Sequence, residues 1–291
     1  MKKAKIFVCI VTYNSSDYIL DCLSSVNSSK TIGFELKIVV VDNCSTDDTV
    51  KKIKSFSNQI SIIMNKQNLG FSGGINVAIQ SALLSGADYI FILNPDTLLK
   101  TDTIQKLFNK RQLADILSPK IYFSNPSDTI WYAGGRIDWD NCLGNHIGVD
   151  EKDTGQFDKI VNIDYSTGCG ELINSNVFKK IGLMNEKYFL YLEDLDFSLR
   201  AKKSGFKIKF IPSSSMYHHN AKSSSVGSPI QDYFITRNRI YFALNYAPLK
   251  TKAAVLKQSL GFLFHGRPAQ KTAVIDFLTL RMYKGSIFKK I

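Results

Sequence analysis

Asp96 closes the stretch Leu93-Asn94-Pro95-Asp96, which follows the apolar run Tyr89-Ile90-Phe91-Ile92-Leu93. A carboxylate just past an apolar strand stands at the carboxyl edge of an α/β sheet, where such sheets bind ligands. Pro95 lacks a backbone donor and stops the strand, so Asp96 is directed into a crevice and away from the ladder. A hard oxygen donor there suits Mg²⁺ or Mn²⁺ shared with the phosphates of a nucleotide. The competing reading is a strand-to-helix turn, with Asp96 or Thr97 capping a helix around Ile104, Leu107 and Phe108.

Four further patterns accompany it. Val11-Thr12-Tyr13-Asn14 ends the first expected strand, and Val41-Asp42-Asn43-Cys44-Ser45-Thr46-Asp47 ends the second. In Asn68-Leu69-Gly70-Phe71-Ser72-Gly73-Gly74-Ile75-Asn76, small residues open a helix. Glycine lets a ligand approach the backbone closely, and a helix N-terminus favours phosphate. Strand-end turns are naturally rich in such residues, but together the patterns gather polar groups at one sheet edge, as a nucleotide pocket requires. They are not the dinucleotide fingerprint, because no G-x-G-x-x-G follows the first strand. The fourth pattern, Tyr191 to Arg200, places Glu193 and Asp194 in the first turn of a helix whose Tyr191, Leu195 and Leu199 share a face. The helix dipole favours an ionised carboxylate there. Capping explains acids at this place, yet Glu193, Asp194 and Asp196 exceed what capping needs, and an ionised carboxylate facing a pocket can act as general base. His218 and His219 follow a strand and a short serine-rich link; either completes a metal site or is structural.

These groups need a scaffold. Ile6–Val11, Leu36–Val41, Ile60–Met64 and Tyr89–Leu93 read as buried parallel strands. Helices are expected over Tyr18–Ser28, after a capping box Ser45-Thr46-Asp47-Asp48, and through Ile75, Ala78, Ile79, Ala82 and Leu83 up to Gly86. Repeated β-α units predict a doubly wound, mostly parallel sheet. From Lys120 to Asp164 the chain reads as short, partly antiparallel strands. Leu192–Ser204 is a helix, Lys207–Ile211 a strand stopped by Pro212, Ser213–Ser228 a mobile loop, and the chain from Tyr233 is helical and basic.

The 291 residues, 44% hydrophobic and 21% charged, have the composition of a globular protein with a substantial core. No apolar run reaches the length of a membrane span. The first apolar segment is too short for a signal peptide, so a cytoplasmic protein is expected. The odd, scattered Cys9, Cys22, Cys44, Cys142 and Cys169 indicate neither disulfides nor zinc. From Arg237 to Ile291, eleven Lys or Arg face the single acid Asp276, so most of the net charge of +12 lies there. Such an end suits anions: lipid head groups, nucleic acid or an acidic partner. A solvated helical face is the plainer account, and no nucleic-acid recognition motif is present.

The ordered set Val-Thr-Tyr-Asn, Val-Asp-Asn-x-Ser-x-Asp, Asn-x-Gly-Phe-x-Gly-Gly-x-Asn, Leu-Asn-Pro-Asp, Thr167-Gly168, Glu-Asp-x-Asp, His218 and Tyr233-Phe234-x-x-Arg237-Asn238 resembles the family 2 glycosyltransferases of the GT-A fold, especially rhamnosyltransferase-like members. The resemblance implies residues 1–110 as a nucleotide-sugar-binding α/β half, 111–236 as the acceptor-binding and catalytic half of the same domain, and 237–291 as a basic helical extension. It implies that Thr12, Asn14 and Asp42 contact the nucleoside, Asp42 reading a uracil or thymine imide, with Asn43 beside it. Asn68, Gly73 and Asn76 would line the diphosphate and sugar. Asn94 and Asp96 stand where the family carries D-x-D. Asp96 would bind Mg²⁺ or Mn²⁺, and Asn94, replacing the first Asp, would weaken that site or bind ribose. Asp194 would be the base, Glu193 its neighbour toward acceptor, and His218 a further metal ligand. The implied activity is inverting transfer from dTDP-rhamnose or a UDP-hexose to a saccharide or lipid-linked saccharide, in bacterial cell-surface polysaccharide synthesis. Trp131, Tyr132, Trp139 and Tyr165 would be sugar platforms or core. The basic end would meet an anionic membrane face, making the protein peripheral on its inner side, or a second subunit in a homodimer. A sugar-1-phosphate nucleotidyltransferase is the rival enzyme, but Thr12-Tyr13-Asn14-Ser15 lacks its Gly-rich basic loop. A non-catalytic sugar-binding module would not need Asp96, Asp194 and His218 together.

Overall fold

The computed structural model describes residues 3–57, 60–219 and 227–289. Its first half winds β1 (Ala4–Thr12), α1 (Ile19–Asn27), β2 (Phe34–Asp42), α2 (Thr49–Phe56), β3 (Ser61–Met64), α3 (Gly70–Leu84) and β4 (Tyr89–Leu93). β1 is buried on both faces from Ile6 to Thr12, which is why its sequence is a continuous apolar run without alternation. It pairs in parallel with β2 and β4, and β2 pairs in parallel with β3. α3 rests on β1 through small residues. A Cβ on Gly74 would lie 2.7 Å from Val11 Cγ1 and 2.8 Å from Asn43 Nδ2, so only glycine permits this approach.

The second half adds β5 (Thr97–Leu99), α4 (Thr103–Asn109), β6 (Ile116–Phe123), β7 (Ile130–Tyr132), β8 (Gly135–Asp138), β9 (Leu143–His146), β10 (Val161–Asn162), β11 (Gly170–Asn174), α5 (Ser175–Ile181), α6 (Glu193–Lys203) and β12 (Ile208–His218). The main sheet runs β10-β12-β6-β11-β4-β1-β2-β3, with β5 on β12, β7 on β6, and β8–β9 a separate pair. β11 is antiparallel to both β4 and β6 and joins the two halves into one sheet. α7 (Pro229–Tyr246), α8 (Leu249–His265) and α9 (Pro268–Leu278) follow. α7 is continuous across position 236, where the extension was expected to begin.

Three local expectations are corrected. Pro212 does not stop its strand: β12 continues to His218, and a register slip between Ile211 and Ser215 takes up the missing donor. Ser213–His218 is therefore sheet, not loop, and residues 220–226 of the serine-rich stretch lie outside the described residues. Ser45-Thr46-Asp47-Asp48 forms no capping box. Ser45 donates to Asp42 instead, and Asp47 Oδ1 accepts the Thr49 N–H at 3.0 Å. Asp96 and Thr97 cap no helix: the chain enters β5, and α4 starts later, with Asp102 at its N-cap position.

Candidate active site

Thr12 and Asp42, the last residues of β1 and β2, are register partners. The Thr12 hydroxyl donates to Asp42 Oδ1 at 3.1 Å, and the Ser45 N–H donates to Oδ2 at 2.9 Å. Asp42 is only 1% exposed, and its carboxylate organises the loop after β2. Asn14 is exposed and left-handed at φ 50. Its Oδ1 accepts the Thr46 N–H at 2.8 Å, which straps the β1 and β2 loops together. Asn43 Nδ2 donates to the Gly70 carbonyl at 2.8 Å. Thr12, Asn14, Asp42 and Asn43 thus form one polar cluster at the carboxyl edge. The three residues expected along the diphosphate sit on or beside α3. Asn68 Oδ1 accepts the Gly70 N–H at 2.8 Å and closes the turn before the helix. Asn76 is buried, donates to the Met184 carbonyl at 2.9 Å and accepts the Met184 N–H at 3.0 Å. Gly73 lies inside α3, where a Cβ would come within 2.8 Å of Leu69 Cβ.

The Asp96 region is built from a long-range pairing. After β4, the Asn94 N–H donates to the Cys169 carbonyl at 3.1 Å and the Thr97 hydroxyl donates to the Asn94 carbonyl at 2.7 Å. β5 then pairs with the end of β12, Thr97 opposite His218, and the His219 N–H donates to the Asp96 carbonyl at 2.9 Å. This brings His218 Nε2 to 3.2 Å from Asp96 Oδ2, with both residues largely buried. Trp131 packs its edge against the His218 ring at 4.5 Å. His219 projects to the other side of the strand, is exposed, and meets Tyr18 at 5.5 Å. Two donors in adjacent positions of an octahedral cation stand about 3 Å apart. The Asp96–His218 pair would fit two adjacent positions of a divalent ion. Among the described residues no group of three or more His, Cys, Asp or Glu could hold a metal.

Asp194 opens α6, and its Oδ1 accepts the Leu195 N–H at 2.8 Å. Burial raises its carboxyl to about 6, while the amides of Leu195 and Gly168 hold it down. Glu193 is 6% exposed; burial, and then the charge of Asp194, drive its carboxyl well above the usual range. The helix dipole does not hold both acids low, as the sequence suggested: burial outweighs it and raises both carboxyls, that of Asp194 to about 6. Asp196, the third acid, is structural. It accepts from Arg200 Nε at 2.7 Å and from the Tyr246 hydroxyl at 2.7 Å. The Asp96 and Asp194 regions meet at the 167–169 turn, since Cys169 accepts from Asn94 and the Gly168 amide faces Asp194.

A cavity of about 510 Å³ opens in front of Glu193 and Asp194, lined also by His146, Tyr165, Gln231, Thr236 and Arg267. One residue of its lining and two residues behind it were given no role from the sequence. His146 is held by its Nδ1 at 3.1 Å from the Trp131 carbonyl, and burial lowers its pKa to about 4, so the ring is neutral. Its place at the end of the short strand β9 carried no signal. Arg237 and Asn238 are fully buried on α7 and grip the segment that leads into α6. Asn238 Nδ2 lies 2.9, 2.8 and 2.9 Å from the carbonyls of Tyr188, Leu190 and Tyr191. Arg237 reaches the Tyr188 carbonyl at 3.0 Å and that of Tyr283 at 2.7 Å. Phe189, Tyr191 and Leu192 are all left-handed, at φ 64, 68 and 68, a conformation that side chains resist and that these bonds hold in place. The signal was present as an Arg-Asn pair among apolar helix positions, but its partners are some 50 residues away. Tyr132 and Tyr165 are core; Trp139, 37% exposed, stacks on Phe242.

The model of glycosyl transferase family 2 matches residues 7–182, from β1 into the turn after α5. This chain belongs to that family. The glycosyltransferase is 26% identical over 268 residues to the low-salt glycan biosynthesis hexosyltransferase of Haloferax volcanii, covering 89% of this chain and 81% of the relative. It is 28% identical over 262 residues to the dTDP-rhamnosyl transferase RfbF of Shigella flexneri, covering 84% and 82%. Staphylococcus aureus TarS 1–349 in complex with UDP-GlcNAc shares the fold at TM-score 0.61 and 20% identity, covering 94% of this chain and 79% of that one. The glycosyltransferase thus has the GT-A architecture with a helical C-terminal region, and it is rhamnosyltransferase-like. Membership sets aside the nucleotidyltransferase and the non-catalytic module. No helix among the described residues is long and apolar enough to cross a membrane.

Proposed function

We propose that this glycosyltransferase moves a hexose from a dTDP- or UDP-linked donor, with dTDP-rhamnose the leading candidate, to a hydroxyl of a saccharide or lipid-linked saccharide, with inversion. The dTDP-rhamnosyl relative, aligned over 84% of the chain, favours that donor. The observation that carries the reading is the pairing, across one turn, of a cation-suited donor pair with a carboxyl raised to about 6 at a cavity wall. Thr12, Asn14, Asp42 and Asn43 border the nucleoside, with Asn94 near the ribose. The N-terminus of α3, preceded by Asn68 and shaped by Gly73 and the Asn76 tie, faces the diphosphate. Asp96 and His218 would hold Mg²⁺ or Mn²⁺, which would act as a Lewis acid neutralising charge on the departing diphosphate. Asp194, ionised at neutral pH, accepts the proton of the acceptor hydroxyl as that oxygen attacks the anomeric carbon from the face opposite the diphosphate. Glu193 and the neutral ring of His146 stand beside it on the cavity wall, toward the acceptor. A single displacement inverts the configuration.

The test is release of nucleoside diphosphate from a panel of UDP- and dTDP-sugars, with Mn²⁺, with Mg²⁺ and with chelator. One donor should be turned over in a chelator-sensitive way, and Asp96→Asn should raise the Mn²⁺ concentration needed for half-maximal rate by tenfold or more. Turnover indifferent both to chelator and to Asp96→Asn would overturn the metal assignment.

A further inference from the structure

We infer that the outer face of α8 docks on an anionic lipid surface. α8 packs inward through Val255 and Ser259, its two buried residues. At 100° per residue, Leu249, Ala253, Leu260 and Phe264 fall within one narrow sector of the opposite side. All four are exposed, Leu249 at 84% and Phe264 at 74%. Lys250 and Lys257 flank this stripe on the solvent side and form no ion pair among the described residues. Leu278 and Leu280, at and after the end of α9, are also 55% and 84% exposed, with Arg281 and Lys284 following in the chain. Lys290 belongs to the same basic end but lies outside the described residues.

An apolar stripe edged by lysines is the pattern of a helix lying in a membrane interface, its apolar side chains among the acyl chains and its ammonium groups at the phosphates. The charge decides between occupants. The one acid beyond Arg237 is Asp276, which is 1% exposed, so this face presents cations without anions. A symmetric dimer through the face would set lysine against lysine, whereas an anionic bilayer complements it. A nucleic acid would satisfy the charge but leave Leu249, Leu260 and Phe264 facing a polar backbone. The α8–α9 junction also carries Arg267, whose guanidinium lies on the wall of the cavity in front of Asp194 and pairs with Asp232. A bilayer on α8 would therefore lie beside the acceptor side of the site. That last consequence rests on the proposed lipid-linked acceptor; the docking itself does not.

The experiment is co-sedimentation of the full chain with neutral phosphatidylcholine vesicles and with vesicles containing phosphatidylglycerol. Binding is expected to the anionic vesicles only, and to fall as salt rises. Lys250→Gln with Lys257→Gln should weaken it about thirtyfold, and Phe264→Ser roughly tenfold or more. Melting temperature and donor hydrolysis should remain those of the wild type, because none of these side chains lines the cavity. Equal binding to neutral vesicles, no loss in the variants, tighter binding to duplex DNA than to anionic vesicles, or a concentration-dependent dimer abolished by Phe264→Ser would each overturn the inference. Hydrolysis of the donor panel reports separately on the catalytic reading.

Discussion

Asp194→Asn should make the protein inactive and more stable. A carboxyl raised from 3.8 to about 6 by burial is ionised at neutral pH against the preference of its surroundings. That costs the folded state about 3 kcal/mol. The asparagine keeps an oxygen in place for the Leu195 N–H, now donated to Asp194 at 2.8 Å, and loses the charge. Its new amide protons need partners, which offsets part of the gain and leaves about 1–2 kcal/mol, or roughly 2–6 °C in Tm. The pH dependence gives the sign. Between 3.8 and about 6 the folded carboxyl holds a proton that the unfolded chain has released. Wild-type stability therefore falls as pH rises through that window; the penalty is complete above it and absent below it. Thermal melts of both proteins at pH 7.5 and near pH 4 should show the variant ahead at the higher pH and the gap closing at the lower. Transfer should fall by about 10²–10⁴, and the wild-type rate should itself drop as pH falls through about 6. A variant that melts no higher than wild type at pH 7.5, a gap independent of pH, or retained transfer would refute the reasoning.

Asn238→Ala should leave the carbonyls of Tyr188, Leu190 and Tyr191 without their common donor, and these three sit beside the left-handed residues before α6. A loss of about 2–4 kcal/mol is expected in denaturant melts. With it should come a fall in kcat of about 10²-fold at little change in donor KM, since Asp194 loses its placement but the β1–β2 loops do not; an unchanged kcat in folded variant would remove Asn238 from this positioning role. Gly74→Ala would set a Cβ 2.7 Å from Val11 Cγ1 and 2.8 Å from Asn43 Nδ2. It should cost about 1–3 kcal/mol in the same melts and weaken nucleotide binding measured by calorimetry, and a neutral effect on both would deny the close approach of α3.

The strands and helices around the sheet were legible because burial on both faces writes itself as apolar runs, and one-sided burial as helical periodicity. β1, β2, β4 and α3 were read within a few residues of their observed bounds. The passage from Lys207 to His218 was misread because Pro212 is a local stop signal, and only the neighbouring β6 shows that a register slip lets the strand continue. The failed capping box has the same origin: Ser45 could cap locally, but Asp42, brought alongside Thr12 by strand pairing, takes its hydroxyl.

The sequence by itself determined which chemistry is present: Asp96 past a strand, acids opening a helix, a histidine beyond Pro212, and a cationic end with one acid. The tertiary structure decided what those groups do. His218 meets Asp96 only because β5 pairs with β12 across 121 residues of chain. The raised carboxyls of Glu193 and Asp194, and the structural role of Asp196, follow from burial and from the partners that Arg200 and Tyr246 supply. Local pattern is short-ranged and survives in one dimension. Solvation, like-charge coupling and the closing of a cavity by α7 and α9 depend on distances between remote residues, which no spacing in the chain records.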